Sequence, residues 1–192
     1  MQRCLEVANS NYPDLVEIWF DNYFDTGDAC AIDSKGNLKV VLDSNHLREL
    51  NLETELINGA IVLSNAHYSK LGGEEFDPKI IKRYGVEEPL TEKQVNEHPV
   101  WLALARGDEA LLKAYSQMIF AKAKEGFGLD KNMSIHLPST QRMSQLRSWC
   151  AYGLGYRSNA GGGGSLGGDC GRFVGIMPEV LVAKNLESKI MR

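Results

Sequence analysis

A chain of 192 residues with 43% hydrophobic and 24% charged side chains can bury one core and is too ordinary in composition for wholesale disorder. Its net charge of −4 disfavours indiscriminate nucleic-acid binding, which rests on many neutralised phosphates. No run approaches the roughly 18 apolar residues that span a bilayer, and residues 1–11 hold no apolar block of the signal-peptide kind.

The elements follow in chain order. Pro13, with Leu15, Ile18, Trp19 and Tyr23 behind it, favours an N-terminal helix with proline at its first position, although Val16, Ile18 and Phe20 also alternate as a strand does. Residues 29–33 and 38–43, joined by Ser34-Lys35-Gly36-Asn37, predict a β-hairpin. Ser44 caps a short helix over 45–50, and 56–64 predicts a further strand with a bulge at Gly59. Asp77-Pro78 opens a helix that Gly85 stops. Thr91 and Gln94 have capping-box spacing. Pro99 restarts the chain as a helix to Arg106, closed by Gly107.

Asp108 then caps the longest predicted helix, to about Glu125. It carries Leu111, Leu112, Tyr115, Met118 and Ile119 on one buried stripe, with Gly126 as its stop. A last helix over 141–152, capped by Ser139 or Thr140, has Met143, Leu146 and Cys150 as its apolar stripe. That spacing puts Arg142 and Arg147 on opposite, solvated borders. Arg172 to Ile176 predicts a strand that Pro178 interrupts and 180–183 resumes. The sum is one domain over 1–192 of α+β class. Its expected architecture is a small antiparallel or mixed sheet, a central helical hairpin, and helices packed on one side.

The run Pro99 to Lys113, PVWLALARGDEALLK, resembles the helix–turn–helix of an ankyrin repeat. Nothing similar stands 33 residues away in either direction, and one repeat cannot bury its own core. The run therefore reads as a helical hairpin across Gly107-Asp108.

The four cysteines, Cys4, Cys30, Cys150 and Cys170, stand alone. That predicts reduced thiols in a cytoplasmic protein, without a disulfide framework or a metal site. No motif implies a cofactor, and a homo-oligomer is compatible with the sequence.

Function points to the glycine-rich loop at 153–175, which holds ten of the 19 glycines. It lies in an uneven charge field, because residues 131–168 contain no Asp or Glu but do contain Lys131, Arg142, Arg147 and Arg157. Gly163-Gly164-Ser165-Leu166-Gly167 fits the G-x-S-x-G nucleophile elbow, yet no histidine follows it, as that hydrolase fold requires. Residues 162–167 also fit G-x-G-x-x-G without the acidic residue about 20 positions on that a dinucleotide site needs. Gly161 to Ser165 reads equally as a flexible tether.

Three readings stay open. In the first, the loop's backbone N–H groups form a nest for an anionic ligand bearing phosphate, nucleotide or carboxylate. Tyr156, Arg157, Ser158, Asn159, Ser165, Asp169 and Arg172 would line it, with Arg157 and Arg172 as anchors. In the second, loop and hairpin contact a protein partner in a larger assembly. In the third, Cys170 is the nucleophile of an enzyme, helped by the Arg172 cation.

Overall fold

The structure is a computed structural model that describes Gln2, Leu5, Glu6, residues 24–152 and 158–167, and the backbone of Arg172 and Phe173. The predicted hairpin forms as β1 (Phe24–Ile32) and β2 (Leu38–Val41). Asp33 closes its turn by accepting from the backbone N–H groups of Lys35 and Asn37 at 2.8 and 2.9 Å. After a short helix α1 (Asn45–Arg48) come β3 (Ile61–Leu63), α2 (Asn65–Lys70) and β4 (Glu74–Phe76). Four helices fill the middle: α3 (Pro78–Tyr84), α4 (Glu92–Glu97), α5 (Pro99–Leu104) and α6 (Glu109–Phe127). The chain returns as β5 (Ile135–His136), β6 (Ser144–Tyr152), β7 (Asn159–Gly161) and β8 (Arg172–Phe173).

The class is α+β, but the sheet is not small. Among the described residues it has eight strands in the order β4-β2-β1-β6-β7-β5, with β3 also on β6 and β8 also on β1. It is mixed, since β5/β7 and β1/β8 run parallel and the other pairs antiparallel. Nor do helices keep to one side. Cys30, Leu38, Val40 and Trp149 face a large core under α3 to α6. Ala29, Ala31 and Leu146 face a second core, closed by Tyr68 of α2 and Leu47 of α1. Buried Lys39 ties α2 down: its Nζ donates to the carbonyls of Tyr68 and Leu71 at 3.1 and 3.2 Å, sits over the Tyr68 ring and pairs with Glu75.

The largest departure from expectation is β6, where the spacing predicts a helix over 141–152. The strand pairs with β1, β3 and β7 and is buried on both faces. Such burial removes the period-two alternation that marks a strand. Helix α6 forms where expected, but it runs to the left-handed Gly128 rather than stopping at Gly126. Its buried face is Leu112, Tyr115, Ile119, Phe120 and Ala123, and Leu111 and Met118 lie only part-buried at the margin. It packs on α4, where Ser116 Oγ donates to Asn96 Oδ1, more than on α5, the hairpin partner expected. Gly59 marks a turn rather than a bulge. Asn58 and Gly59, both with positive φ, close a bridge between Ile57 and Ala60. The predicted helix after Pro13 and the strand residues beyond Phe173 lie outside the described residues.

Candidate functional site

Residues 158–161 enter the sheet with their polar side chains buried. Ser158 N–H donates to Asn132 Oδ1 at 3.1 Å, and Ser158 Oγ lies 2.6 Å from the Tyr115 hydroxyl. Asn159 Oδ1 accepts from the backbone N–H and the hydroxyl of Ser134. The same Ser134 Oγ lies 2.8 Å from His136 Nε2. A serine beside a histidine invites a catalytic reading, but Ser134 is 2% exposed and its hydroxyl is spent on Asn159. The network satisfies buried polar groups and fixes β7 in place.

Beyond β7 the glycines serve close approach. A Cβ on Gly162 would overlap Cys30 Sγ and stand 3.2 Å from the Trp149 ring. Gly59 combines a φ of 71° with a position where a Cβ would strike the Ser165 hydroxyl. No positive φ occurs at Gly161, Gly162, Gly163, Gly164 or Gly167, so the alternating backbone of an anion nest is not formed there.

The neighbouring charge is met by carbonyls instead. Arg147, expected on a wet helix border, projects from β6 into the gap between the two turns. Its Nη2 donates to Asn58 O at 2.7 Å, its Nη1 approaches the carbonyls of Gly59, Gly163 and Gly164 at 3.4 Å each, and its Nε donates to Gln145 Oε1. Leu166 N–H adds a bond to Gly59 O at 2.8 Å. One planar guanidinium thus staples the Asn58-Gly59 turn to the glycine loop, using the fork of donors that lysine lacks. Burial draws its pKa down from the ordinary value, yet an arginine stays charged.

The same arginine lines an open cleft of about 300 Å³, together with Ile57, Asn58, Val62, Gln141, Arg142, Met143 and Gln145. Ile57 is 51% and Met143 54% exposed, two large apolar side chains left in water at one cleft. Beneath the nearby loop, Asp25 accepts from Ser148 Oγ at 3.2 Å. Burial lifts its carboxyl above the ordinary range against the lowering effect of that bond. Cys30 and Cys150 are buried thiols whose pKa burial pushes up, that of Cys150 to about 12.

This arrangement of strands and helices has a counterpart among solved structures. A structure described as "Accommodation of massive sequence variation in Nanoarchaeota by the C-type lectin fold" matches with a TM-score of 0.64 and 18% identity, over 92% of this chain and 86% of that one. The chain has the C-type lectin fold. No family model and no curated protein matches its sequence, so the likeness carries the architecture alone.

Within this C-type lectin fold the residues expected at a ligand site are divided. Ser158 and Asn159 are buried at 0% and 6% and serve the network under β7, a correction to their expected place on a ligand wall. Ser165 is exposed at the tip of the loop beside Gly59. Tyr156, Arg157, Asp169, Cys170 and the side chain of Arg172 lie outside the described residues, and the backbone of Arg172 pairs with Phe24 in β8. The residues that sequence reasoning passes over are Ile57, Asn58, Met143 and Gln145. The Asn58-Gly59 dipeptide, a hairpin-turn signature, is the signal that marks the first two. No group of three or more His, Cys, Asp or Glu among the described residues is placed to hold a metal. None of their helices is long and apolar enough to cross a membrane.

Proposed function

We propose that the chain is a binding domain that offers the cleft between Ile57 and Met143 to a protein or peptide partner. The observation that carries this reading is the pair of exposed apolar side chains, Ile57 and Met143, that line one open, mixed-polarity cleft. Ordinary surfaces leave apolar residues singly in water, and paired ones around a concavity mark contact sites. At about 300 Å³ the cleft is at the small end for a drug-sized ligand and suits one or two side chains of a partner. Methionine adapts its shape to varied partners, while the exposed Asn58 and Gln141 offer hydrogen bonds.

The structural neighbour is described as a fold that accommodates massive sequence variation. A body that holds while its surface residues change is what a binding domain needs, and here Arg147 and the network under β7 hold the loops from below. Arg142 is exposed, and no ion pair to it is found among the described residues, so a partner that brings a carboxylate gains a contact there. This keeps an anionic group in the reading as part of a protein ligand, with Ser165, Tyr156, Arg157, Asp169 and Arg172 as further candidates.

Peptides selected from a random display library against the folded chain test the proposal. Most selected peptides should lose about tenfold or more in affinity for Ile57→Asp or Met143→Asp, the scale of truncating one well-packed contact. Peptides indifferent to both substitutions would remove the cleft as the contact surface.

A further inference from the structure

The loop that leads into the cleft carries the complement of the cleft itself. Residues 49–55 include Glu49, Glu53 and Glu55, all exposed, and no Lys or Arg. At its tip Leu52 is fully exposed, at 107% of the reference area. That exposure is built, because the turn beneath it is closed from both ends. Thr54 N–H donates to Asn51 O at 3.1 Å, Glu53 N–H to Asn51 Oδ1 at 2.9 Å, and Asn51 N–H to Thr54 Oγ1 at 3.1 Å. A rigid turn that holds a leucine in water forgoes the burial that leucine normally gains.

The loop runs on directly into Ile57, which lines the cleft together with Arg142 of the acid-free stretch from residue 131 to 168. An acidic turn bearing an apolar knob thus leads straight into an apolar-lined cleft that also holds an exposed arginine. A twofold rotation can lay the acidic turn of one copy on the arginine of the other. In a two-fold contact each residue pair occurs twice, so one good fit is doubled.

We propose that two copies of this chain associate through this face. Leu52 of each copy enters the cleft of its partner between Ile57 and Met143, and Glu53 and Glu55 meet Arg142 across the contact. The proposal rests on the binding-domain reading above and names the occupant of the same cleft.

Light scattering and sedimentation of the whole chain, over concentrations on the order of 10 μM to 1 mM, measure it. The wild-type mass should rise towards twice the monomer, and Leu52→Asp should shift the midpoint at least about tenfold upward. Melting curves by circular dichroism should match, because Leu52 touches nothing in the monomer. Charge reversal separates this contact from general stickiness. Arg142→Glu alone and Glu53→Arg/Glu55→Arg alone should each stay monomeric, and an equal mixture of the two should pair, since both reciprocal contacts then carry opposite charges.

A wild-type chain that stays monomeric throughout, a Leu52→Asp chain that dimerises as wild type does, or a mixture that fails to pair would each overturn the proposal. The cleft reading fails separately, only when displayed peptides ignore Ile57→Asp and Met143→Asp.

Discussion

Gly162 and Gly163 are neighbours in a run of four glycines and do different things. A Cβ on Gly162 would stand 2.9 Å from Cys30 Cβ, while one on Gly163 finds its nearest atoms, in Pro138, at 3.9 Å. Gly162→Ala should therefore cost about 1–3 kcal/mol, the usual penalty for a methyl forced into a packed core. Adding Cys30→Ala should recover part of it, because the two side chains compete for one space. Gly163→Ala should stay within about 0.5 kcal/mol of wild type. Chemical denaturation of the four chains decides, and equal costs at both glycines would contradict the packing account. Composition alone makes these glycines look alike, and the reading of the segment as an anion nest came from that likeness. Arg147 is hidden by the same route: its partners are carbonyls of residues 58, 59, 163 and 164, and no sequence pattern announces a backbone acceptor.

Elements were legible where local chemistry fixes them. The capping box of Thr91 and Gln94, the Asp77-Pro78 start of α3 and the Asp108 cap of α6 all form as their residues dictate. Strand β6 was not legible, because Leu146 on one face and Trp149 on the other are both buried and period two disappears. Short β4 and α2 also escape, held by tertiary contacts such as Lys39 rather than by propensity.

The α4–α5 junction adds a pH dependence. His98 caps α5 with Nδ1 accepting from Val100 N–H at 3.2 Å, and its Nε2–H donates to Gly85 O at 3.1 Å. That ring is neutral. Burial lowers its pKa from 6.5 to about 4, against a smaller raising effect of the Gly85 bond. The unfolded chain takes up the proton first as pH falls, so the stabilisation is whole above pH 6.5. It is lost progressively down to about pH 4, by a total on the order of 3 kcal/mol. His98→Asn keeps a capping oxygen but cannot titrate. Denaturant midpoints should fall less steeply for that variant between pH 6.5 and 4. Identical slopes would show that the ring is not held neutral.

At the scale of the whole molecule, the fold supplies a firm base beneath the cleft. The sheet is buried on both sides, the segment 158–162 is pinned by buried hydrogen bonds, and Arg147 ties two turns together beside the cleft. Among the side chains left in water are Ile57, Met143 and Arg142 of the cleft and Ser165 at the loop tip. The sequence alone drew interest to the glycine segment through its glycines and its acid-free stretch. It did not bring out the cleft, since Ile57 and Met143 are 86 positions apart in the numbering and line it together only through the pairing of β3 with β6. The central claim is that this cleft is the contact surface. Its most direct test is amide chemical-shift mapping of the isotope-labelled chain, titrated with one peptide selected on the wild-type domain. The account predicts that the large shifts gather at residues 57–62, 141–147 and 163–167. Shifts centred instead on the smaller cleft lined by Val41, Leu42, Gly73 and Ala103, with the Ile57 and Met143 amides unmoved, would contradict it.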